Sequence, residues 1–331
     1  MELDVIYTTD ALSGLRKIYN GSVDCIVTSP PYWQLRDYGL QPILFGGKVE
    51  CSHDLDEFGT CRICSGWVGQ LGQEPSREGY ISHLIEIFCE CHRVLKKSGT
   101  LWVNLGDSYC KVNKYNHSQG KWGAGKNSSC LTDMKENMSL HHIPNKSLCN
   151  IPGRFAEEMI ASGWILRNEI IWYKPSVIPS PVTDRFTVDF EKFFFFSKSQ
   201  SYDFRQQFEP YAESTIGRYK RGFSSEGKIP EYRRQAGAPV GKHEINPKGR
   251  NMRAVWRVTT ECNHEEHYAA YPAKLIETPI EAGCPPGGVV LDPFLGSGTT
   301  ALVARRLGRH FIGIEPNPNY VAISERRLKI T

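Results

Sequence analysis

The stretch Asp24-Cys25-Ile26-Val27-Thr28-Ser29-Pro30-Pro31-Tyr32-Trp33 decides our interpretation of this chain. Its apolar first half runs directly into two prolines and two aromatic residues, a pattern typical of a buried strand that ends in a rigid loop. Each proline fixes φ at about −65° and lacks an N–H group, so the loop presents carbonyl oxygens in a set direction. We therefore expect the Ser29 hydroxyl and the loop carbonyls to accept hydrogen bonds from the amino group of a planar ring, beside the flat faces of Tyr32 and Trp33.

A second distinctive stretch lies near the other end of the sequence. Val289 to Thr300 is an apolar strand that closes on Asp292 and continues through a turn with two glycines into a helix. A ligand would therefore lie between the C-terminus of a strand and the N-terminus of a helix. The next strand ends at Glu315, about 20 residues on, which is the spacing at which a carboxylate accepts hydrogen bonds from ribose hydroxyls.

Both stretches resemble one family. Ser29-Pro30-Pro31-Tyr32 looks like the catalytic tetrapeptide (Asp/Asn/Ser)-Pro-Pro-(Tyr/Phe) of the amino-directed DNA methyltransferases. A serine in the first position, with a tryptophan directly after the tetrapeptide, is similar to the cytosine-N4 branch. Asp292 to Thr300 resembles the S-adenosylmethionine loop of the same enzymes. The order of the two motifs resembles the permuted beta group. The resemblance implies an α/β, Rossmann-like S-adenosylmethionine-dependent methyltransferase fold with circularly permuted motif order and a basic target-recognition insert.

The resemblance also implies roles for individual residues. The catalytic residues would be Ser29, Pro30, Pro31 and Tyr32. The residues implied in cofactor binding are Asp10, Asp292, Pro293, Phe294, Gly296, Ser297, Gly298, Thr299, Glu315 and Lys274. For Asp10 a second interpretation stays open, since an aspartate before the predicted helix over 11–19 would also cap it. Glu191 follows Asp189-Phe190 where the family more often has His-Glu, which weakens the case for a pocket role of Glu191.

A different chemistry is indicated after the first motif, by Cys51 and His53 and by Cys61 and Cys64. Three thiolates and one imidazole can converge on a tetrahedral metal ion, and cysteines in a reducing cell have little other reason to cluster. We expect a structural zinc ion in a Cys/His loop over 48–70. Four protein ligands would leave no coordination position open, so the ion would brace the loop and not catalyse. Four unrelated surface residues remain the alternative.

Composition limits the classes of protein to consider. With 331 residues and 40% hydrophobic content, the chain suits one large domain with an insertion, or two domains. No apolar run is long enough to span a bilayer, and Met1-Glu2-Leu3-Asp4 is unlike a basic signal peptide. The 11 scattered cysteines fit reduced thiols better than a disulfide framework. We expect a cytoplasmic, nucleoid-associated protein without membrane contacts.

Positive charge is concentrated in residues 218–257, which contain 11 Lys and Arg against 3 Asp and Glu, although the whole chain carries only +4. Interleaved aromatic residues favour a surface that follows phosphates, while a merely solvated face stays the alternative. We predict a catalytic half over 1–200 that includes a polar loop over 110–148. A target-recognition region over 201–262 and a cofactor-binding half over 263–331 would follow.

The resemblance implies a site-specific enzyme that flips cytosine out of double-stranded DNA and methylates its N4 amino group. It would act as a monomer or homodimer, with a cognate restriction endonuclease acting separately. Adenine N6 stays open as the target, since Ser-Pro-Pro-Tyr occurs with both bases. An RNA or protein-amide methyltransferase and a catalytically dead DNA-binding module also stay open. Both motifs are intact, which argues against a dead site, and the basic insert argues against a protein substrate.

Hydrophobic periodicity also predicts regular elements between the motifs. The main ones are a helix over Tyr80 to Lys97, a strand over Thr100 to Leu105, a helix over Arg154 to Ser162, a strand over Ile165 to Tyr173 and a core strand at Phe193 to Phe196.

Overall fold

The computed structural model describes residues 2–48, 50–110, 143–177, 179–221, 246–260 and 271–330. These residues belong to two compact units, one over 1–204 together with 254–331 and one over 205–253. Most of the polar loop predicted over 110–148 lies outside the described residues, and so does the part of the basic region over 222–245. The predicted domain boundaries stay a prediction.

Twelve strands and seven helices are described. The strands are β1 (Val5–Tyr7), β2 (Val23–Thr28), β3 (Ile43–Phe45), β4 (Trp67–Gly69), β5 (Leu95–Leu105), β6 (Ile165–Tyr173), β7 (Phe190–Ser197), β8 (Phe208–Glu209), β9 (Arg250–Asn251), β10 (Val255–Arg257), β11 (Val289–Asp292) and β12 (His310–Ile314). The helices are α1 (Ala11–Leu15), α2 (Arg77–Val94), α3 (Ile151–Ala161), α4 (Glu213–Arg221), α5 (Ala273–Gly283), α6 (Thr299–Arg306) and α7 (Pro318–Ile330). Within the described part of the chain, no helix has both the length and the apolar character that crossing a membrane requires.

The core of the first unit is an eight-stranded sheet with the spatial order β1-β12-β11-β2-β5-β7-β6-β10. β7 is antiparallel to β5 and β6, whereas all other neighbouring strands are parallel. β11 and β12, from late in the chain, lie between β1 and β2, from its beginning. The predicted α/β fold with permuted motif order is therefore confirmed: one mostly parallel sheet is built from both ends of the chain.

The two sequence motifs leave neighbouring strands of this sheet. All six residues of β2 and all four of β11 are buried, as expected for central parallel strands whose two faces are covered. The strands pair directly, with Ile26 opposite Leu291. Because parallel strands end at the same edge of a sheet, the Pro-Pro loop after β2 and the glycine loop after β11 emerge side by side.

Several predicted elements have other boundaries in the structure. α2 begins earlier than predicted because the Ser76 hydroxyl accepts a hydrogen bond from the Gly79 N–H at 3.0 Å. It also ends earlier, since Leu95 pairs with Val23 and starts β5. α1 stops at Leu15, where the chain tightens into hydrogen bonds between residues three apart. The predicted strand Ile165–Tyr173 is confirmed at both ends as β6, and the run of four phenylalanines lies in β7.

Smaller sheets complete the two units. In the first unit, β3 and β4 form an antiparallel hairpin in which Phe45 lies opposite Trp67. In the second unit, β8 and β9 pair antiparallel, and Glu209 accepts hydrogen bonds from Arg250 at 2.7 Å and Arg253 at 2.5 Å. Part of the second unit's positive charge is therefore paired within that unit.

Candidate active site

A cavity of about 400 Å³ opens where β2 and β11 end, a size typical of small-molecule sites. Its walls come from both ends of the chain. The predicted site residues that line it are Asp10, Ser29, Pro30, Pro31, Tyr32, Phe294, Gly296, Ser297, Thr299 and Glu315. The structure therefore brings the predicted catalytic loop and most of the predicted cofactor residues together at one cavity.

The predicted catalytic loop is attached to α2 through Tyr80. The hydroxyl of buried Tyr80 donates a hydrogen bond to the Pro31 carbonyl at 2.7 Å. This carbonyl is thereby engaged by the protein, and Ser29 and Pro30 remain as the predicted acceptors at the cavity.

Tyr32 presents its ring to the cavity and buries its hydroxyl. The hydroxyl donates to Glu191 Oε2 at 2.7 Å and lies 3.2 Å from Asn104 Oδ1. The ring lies so close to Gly106 that a Cβ atom there would come within 2.4 Å of it, so only glycine fits at that position. Burial, reinforced by the Glu191 carboxylate, raises the pKa of Tyr32 well above its ordinary value, and the phenol therefore stays protonated.

Glu191 holds Tyr32 in place without lining the cavity itself. Its carboxylate accepts hydrogen bonds from the Tyr32 hydroxyl, from the side-chain amide of Asn104 at 3.0 Å and from the ammonium of Lys174. Lys174 also lies 4.3 Å from the centroid of the Trp172 ring. The sequence analysis did not anticipate this contact of Glu191 with Tyr32. The signal that could have found it was the acid at the start of a strongly apolar strand.

Trp33 does not provide the flat face at the cavity that the sequence led us to expect. Its side chain is 2% exposed, belongs to the hydrophobic core and donates its indole N–H to the Glu74 carbonyl at 2.9 Å. Of the two aromatic residues in the motif, Tyr32 alone lines the cavity.

Asp292 is buried and is not among the residues that line the cavity. Its Oδ1 accepts hydrogen bonds from Thr28 at 2.6 Å and from the Phe294 N–H at 3.0 Å. Its Oδ2 accepts from Tyr271 at 3.0 Å and Thr300 at 2.5 Å. Burial raises its pKa above the ordinary value, while these donors oppose that effect. The side chain therefore connects the end of β2 to the loop after β11.

The loop after β11 depends on glycine at Gly298. This residue has φ of +85°, caps α6 and would place a Cβ atom 2.8 Å from Ser324. Arg327 donates to the Ser297 carbonyl at 2.6 Å and to the Thr299 hydroxyl at 3.1 Å, which holds the loop against α7. Neither Pro293 nor Gly298 lines the cavity, so their contribution is to the shape of the loop.

Glu315 is the acidic residue best placed to bind a ligand. It lines the cavity and accepts hydrogen bonds from the Gly296 N–H at 2.9 Å and the Asn317 N–H at 2.8 Å. Burial raises its pKa to about 7 despite these two donors. Each oxygen has a further lone pair with which it can accept a ligand hydroxyl.

The two remaining predicted cofactor residues differ in position. Asp10 both lines the cavity and caps α1 through the Ser13 N–H at 2.9 Å, so the cap and a ligand contact are compatible. Lys274 is not among the cavity residues: its side chain is 76% exposed and pairs with Glu277 at 2.8 Å. Sequence reasoning also did not single out two cavity tyrosines, Tyr38 and Tyr320, which stand outside the two motifs.

The four predicted metal ligands converge. Their ligand atoms all lie within 4.8 Å of one another, with Cys51 Sγ 3.7 Å from Cys61 Sγ and Cys64 Sγ 3.6 Å from His53 Nδ1. A tetrahedral zinc ion with ordinary bond lengths would separate its ligands by about 3.6 to 3.8 Å. The N–H groups of Ile63 and Cys64 also point at the Cys61 sulfur, at 3.4 and 3.5 Å. The donor set and spacing fit a closed tetrahedral site.

Comparisons with known proteins place this chain in a family. The family model described as "DNA methylase", for N6 and N4 methyltransferases, matches residues 23–326. Type II methyltransferase M.Cfr9I of Citrobacter freundii is 35% identical over 98% of this chain and 87% of its own length, and Type II methyltransferase M.XycI of Xanthomonas campestris pv. cyanopsidis is 33% identical over the same shares.

Solved structures share the fold. The PvuII DNA methyltransferase (cytosine-N4-specific) has a TM-score of 0.58 and 21% identity over 99% of this chain and 86% of that one. A Thermus thermophilus protein solved with S-adenosyl-L-methionine has a TM-score of 0.53 and 19% identity over 98% and 94%. Together with the family match, these relatives confirm the resemblance seen in the sequence: the chain belongs to the N6/N4 DNA methylase family.

Proposed function

We propose that this protein transfers a methyl group from S-adenosylmethionine to the N4 amino group of a cytosine flipped out of duplex DNA. The observation that carries the proposal is Ser29 at the head of its Pro-Pro-Tyr loop, in one cavity with the loop after β11. A relative with the same fold is named a cytosine-N4-specific enzyme. That name supports cytosine over adenine.

The residues of the cavity suit the cofactor. Glu315 can accept hydrogen bonds from two ribose hydroxyls, and Phe294 offers an apolar face to an adenine ring. The backbone of the loop approaches closely because Gly296 carries no side chain and has φ of +55°. When bound, S-adenosylmethionine supplies the methyl group as a sulfonium substituent.

Ser29 and Pro30 would prepare the target nitrogen. The lone pair of an exocyclic amino group is delocalised into the ring and must be localised before it can attack. Acceptors at Ser29 Oγ and the Pro30 carbonyl hold the two amino hydrogens and favour a tetrahedral nitrogen, while the Tyr32 ring stacks on the base. No strong base is needed, because methylation makes the nitrogen acidic. Positioning of this kind can lower a barrier by about 7 to 11 kcal/mol.

Product analysis tests the choice of base. Purified protein would be incubated with methylation-free duplex DNA and S-adenosylmethionine, and the digested nucleosides would be identified by mass spectrometry. We expect N4-methylcytosine, and no product from a Ser29→Ala control prepared in parallel. N6-methyladenine would move the enzyme to the adenine branch. Methylation of RNA or protein alone would identify a different substrate, and no transfer by folded protein that binds DNA would indicate a binding module.

The proposal also assigns one region of the chain to DNA recognition. We infer that the region over 201–262 recognises the target sequence, with the catalytic and cofactor halves over 1–200 and 263–331. Its support is the excess of Lys and Arg over 218–257, together with the separate compact unit over 205–253. In this proposal the enzyme acts on the nucleoid in the cytoplasm as a monomer or homodimer. A cognate restriction endonuclease would act separately on the same sequence.

We also propose that Cys51, His53, Cys61 and Cys64 bind one structural zinc ion. Three sulfurs and one imidazole are a common set for such sites, and their spacing is that of tetrahedral ligands. All four positions around the ion are filled by the protein. The ion would therefore stabilise the Cys/His loop and take no part in methyl transfer.

Cofactor affinity should rise with pH through about 7, because that is the pKa of Glu315 and its ionised form is the better acceptor for ribose hydroxyls. We expect the affinity for S-adenosylmethionine to be about tenfold weaker at about pH 6 than at about pH 8, as the ionised fraction of such a group falls by that factor. Calorimetry at several pH values measures the effect.

Glu315→Gln is the matched control for this pH dependence. It keeps the size of the side chain and cannot ionise, so its affinity should be lower and should lose the wild-type component of the pH dependence. Identical pH profiles for both proteins would show that Glu315 does not contact the cofactor.

A further inference from the structure

The Cys/His loop connects two strands that form part of the cavity wall. It lies between β3 and β4, which pair antiparallel. Ile43 and Phe45 of β3, Gly69 of β4 and the following Gln70 and Leu71 all line the cavity. The four candidate metal ligands are therefore in the connection of a hairpin whose strands contact the space for substrates.

This hairpin has little regular structure of its own. Each strand has three residues, and an isolated two-stranded hairpin is at best marginally stable. Its long connection adds a loop-closure cost. The ligand Cys61 is fixed next to β4, since its N–H donates to the Gly66 carbonyl at 2.7 Å, directly before Trp67. An ion bound to Cys61 would thus fix the beginning of β4.

The segment that follows β4 contacts the residues that follow the Pro-Pro motif. The segment over 70–74 is joined to residues 33–40 by several hydrogen bonds, four of which are 3.0 Å or shorter. They run from the Gln34 N–H to the Gly72 carbonyl (2.6 Å), from the Leu40 N–H to Gln70 Oε1 (3.0 Å), from Trp33 Nε1 to the Glu74 carbonyl (2.9 Å) and from Gln73 Nε2 to the Arg36 carbonyl (2.6 Å). A Cβ atom at Gly72 would lie only 3.1 Å from the Tyr32 carbonyl. The segment after β4 therefore holds the chain that follows the Pro-Pro motif in position.

A buried side chain of α2 also contacts the hairpin. His83 of α2 stacks on Phe45, with ring centroids 4.7 Å apart, and on Trp67 at 5.3 Å. Its Nδ1 lies 3.1 Å from Glu74 Oε1, and Glu74 is fully buried. Both strands of the hairpin and the segment 70–74 thus meet at His83, so a displaced hairpin would also displace that segment.

We infer that metal binding at Cys51, His53, Cys61 and Cys64 positions the catalytic loop, acting through β4 and the segment 70–74. The ion orders the connection of the hairpin, the hairpin holds 70–74, and 70–74 holds the backbone that carries Tyr32. This inference rests on the zinc ion proposed above and adds to it a function at a distance from the ion.

Hydrogen exchange followed by mass spectrometry tests the inference on the full-length protein. Wild-type protein purified without an affinity tag would be compared as isolated, after metal removal with a chelator, and after return of zinc. We expect amide protection to fall in peptides covering 31–40 and 67–74, to recover with zinc, and to stay unchanged in β5 and β7. The single-turnover rate at saturating cofactor and DNA should fall and recover in parallel, by about 100-fold, as expected for a misplaced reacting group.

Variants and elemental analysis separate the possible failures. Cys61→Ser should reproduce the metal-free behaviour, whereas Cys89→Ser, which changes an exposed thiol on α2, should behave as wild type. If the Cys61→Ser variant does not fold, chelation of the wild type decides. Absence of stoichiometric metal from the isolated protein would overturn both the zinc site and the inference. Bound zinc whose removal deprotects only 48–66 and leaves the rate unchanged would preserve the site and overturn the positioning.

Discussion

Asp292→Ala should abolish measurable cofactor binding and lower the free energy of unfolding by about 2 to 4 kcal/mol. The carboxylate accepts four hydrogen bonds in a buried position, three of them from side-chain hydroxyls. A buried polar group left without a partner costs about 1 to 3 kcal/mol. Tyr271 and Thr300 can still bond to each other, so the main losses fall on Thr28 and the Phe294 N–H. The loop after β11 would then lose its attachment to β2.

Asp292→Asn is the informative control. Its Oδ1 can still accept from Thr28 and Phe294, and its amide can donate to the hydroxyls of Tyr271 or Thr300, which can rotate to accept. We expect Asn to retain most of the stability and a weakened but measurable affinity. Denaturant unfolding measures the stability of each variant, and calorimetry with S-adenosylmethionine measures its affinity for the cofactor. Equal loss of affinity in Ala and Asn, without loss of stability in either, would mean that the carboxylate contacts the cofactor directly.

Ser29→Ala should lower the single-turnover rate by about 100- to 1000-fold, the range observed when one preorganised hydrogen-bonding group is removed from an active site. Affinities for DNA and cofactor should change little, because the hydroxyl matters most as the amino nitrogen becomes tetrahedral. The loop itself should keep its shape, since it is fixed by Tyr80 and by the prolines. A wild-type rate for this variant would remove Ser29 from the mechanism.

Two changes at Tyr32 test whether the loss of rate expected for Ser29→Ala is specific to that hydroxyl. Tyr32→Ala removes a stacking surface worth about 1 to 3 kcal/mol per base and should weaken capture of the flipped base. Tyr32→Phe keeps the ring and loses only the hydrogen bonds of the hydroxyl, chiefly the one to Glu191. We therefore expect Phe to bind DNA nearly as wild type does. Because the pKa of Tyr32 is raised by burial, neither change should alter the pH profile of turnover.

The sequence was sufficient to predict the central strands of the sheet and the edge of the sheet at which the cavity lies. β2 and β11 are continuous apolar runs closed by unusual loops, and such runs are recognisable because both faces of a parallel sheet are buried. β6 could be predicted to the residue, since Gly163 precedes it and Pro175 follows it.

Positions set by distant contacts could not be predicted in this way. Trp33 is adjacent to the motif, yet the carbonyl of Glu74 draws its indole into the core. Lys97 falls in β5 and not in a helix because β2 offers Leu95 a pairing partner. The hairpin of β3 and β4 gave no period-2 signal, since each strand has only three residues and is held by His83 from α2. In each case the partner that decides the position belongs to another element of the fold, which local periodicity does not reveal.

The insertion of β11 and β12 between β1 and β2 has a consequence for biosynthesis. Thr28 and Asp292, which hydrogen-bond across this junction, are 264 positions apart. At roughly 5 to 20 residues per second, the ribosome needs roughly 13 to 53 seconds to make the second after the first. During that interval the edge of β2 that will pair with β11 lacks its partner, and contacts this distant in sequence also form slowly once available. The nascent chain thus contains the Pro-Pro loop long before the loop after β11 exists, so the cavity that both loops line cannot form until nearly the whole chain has been made.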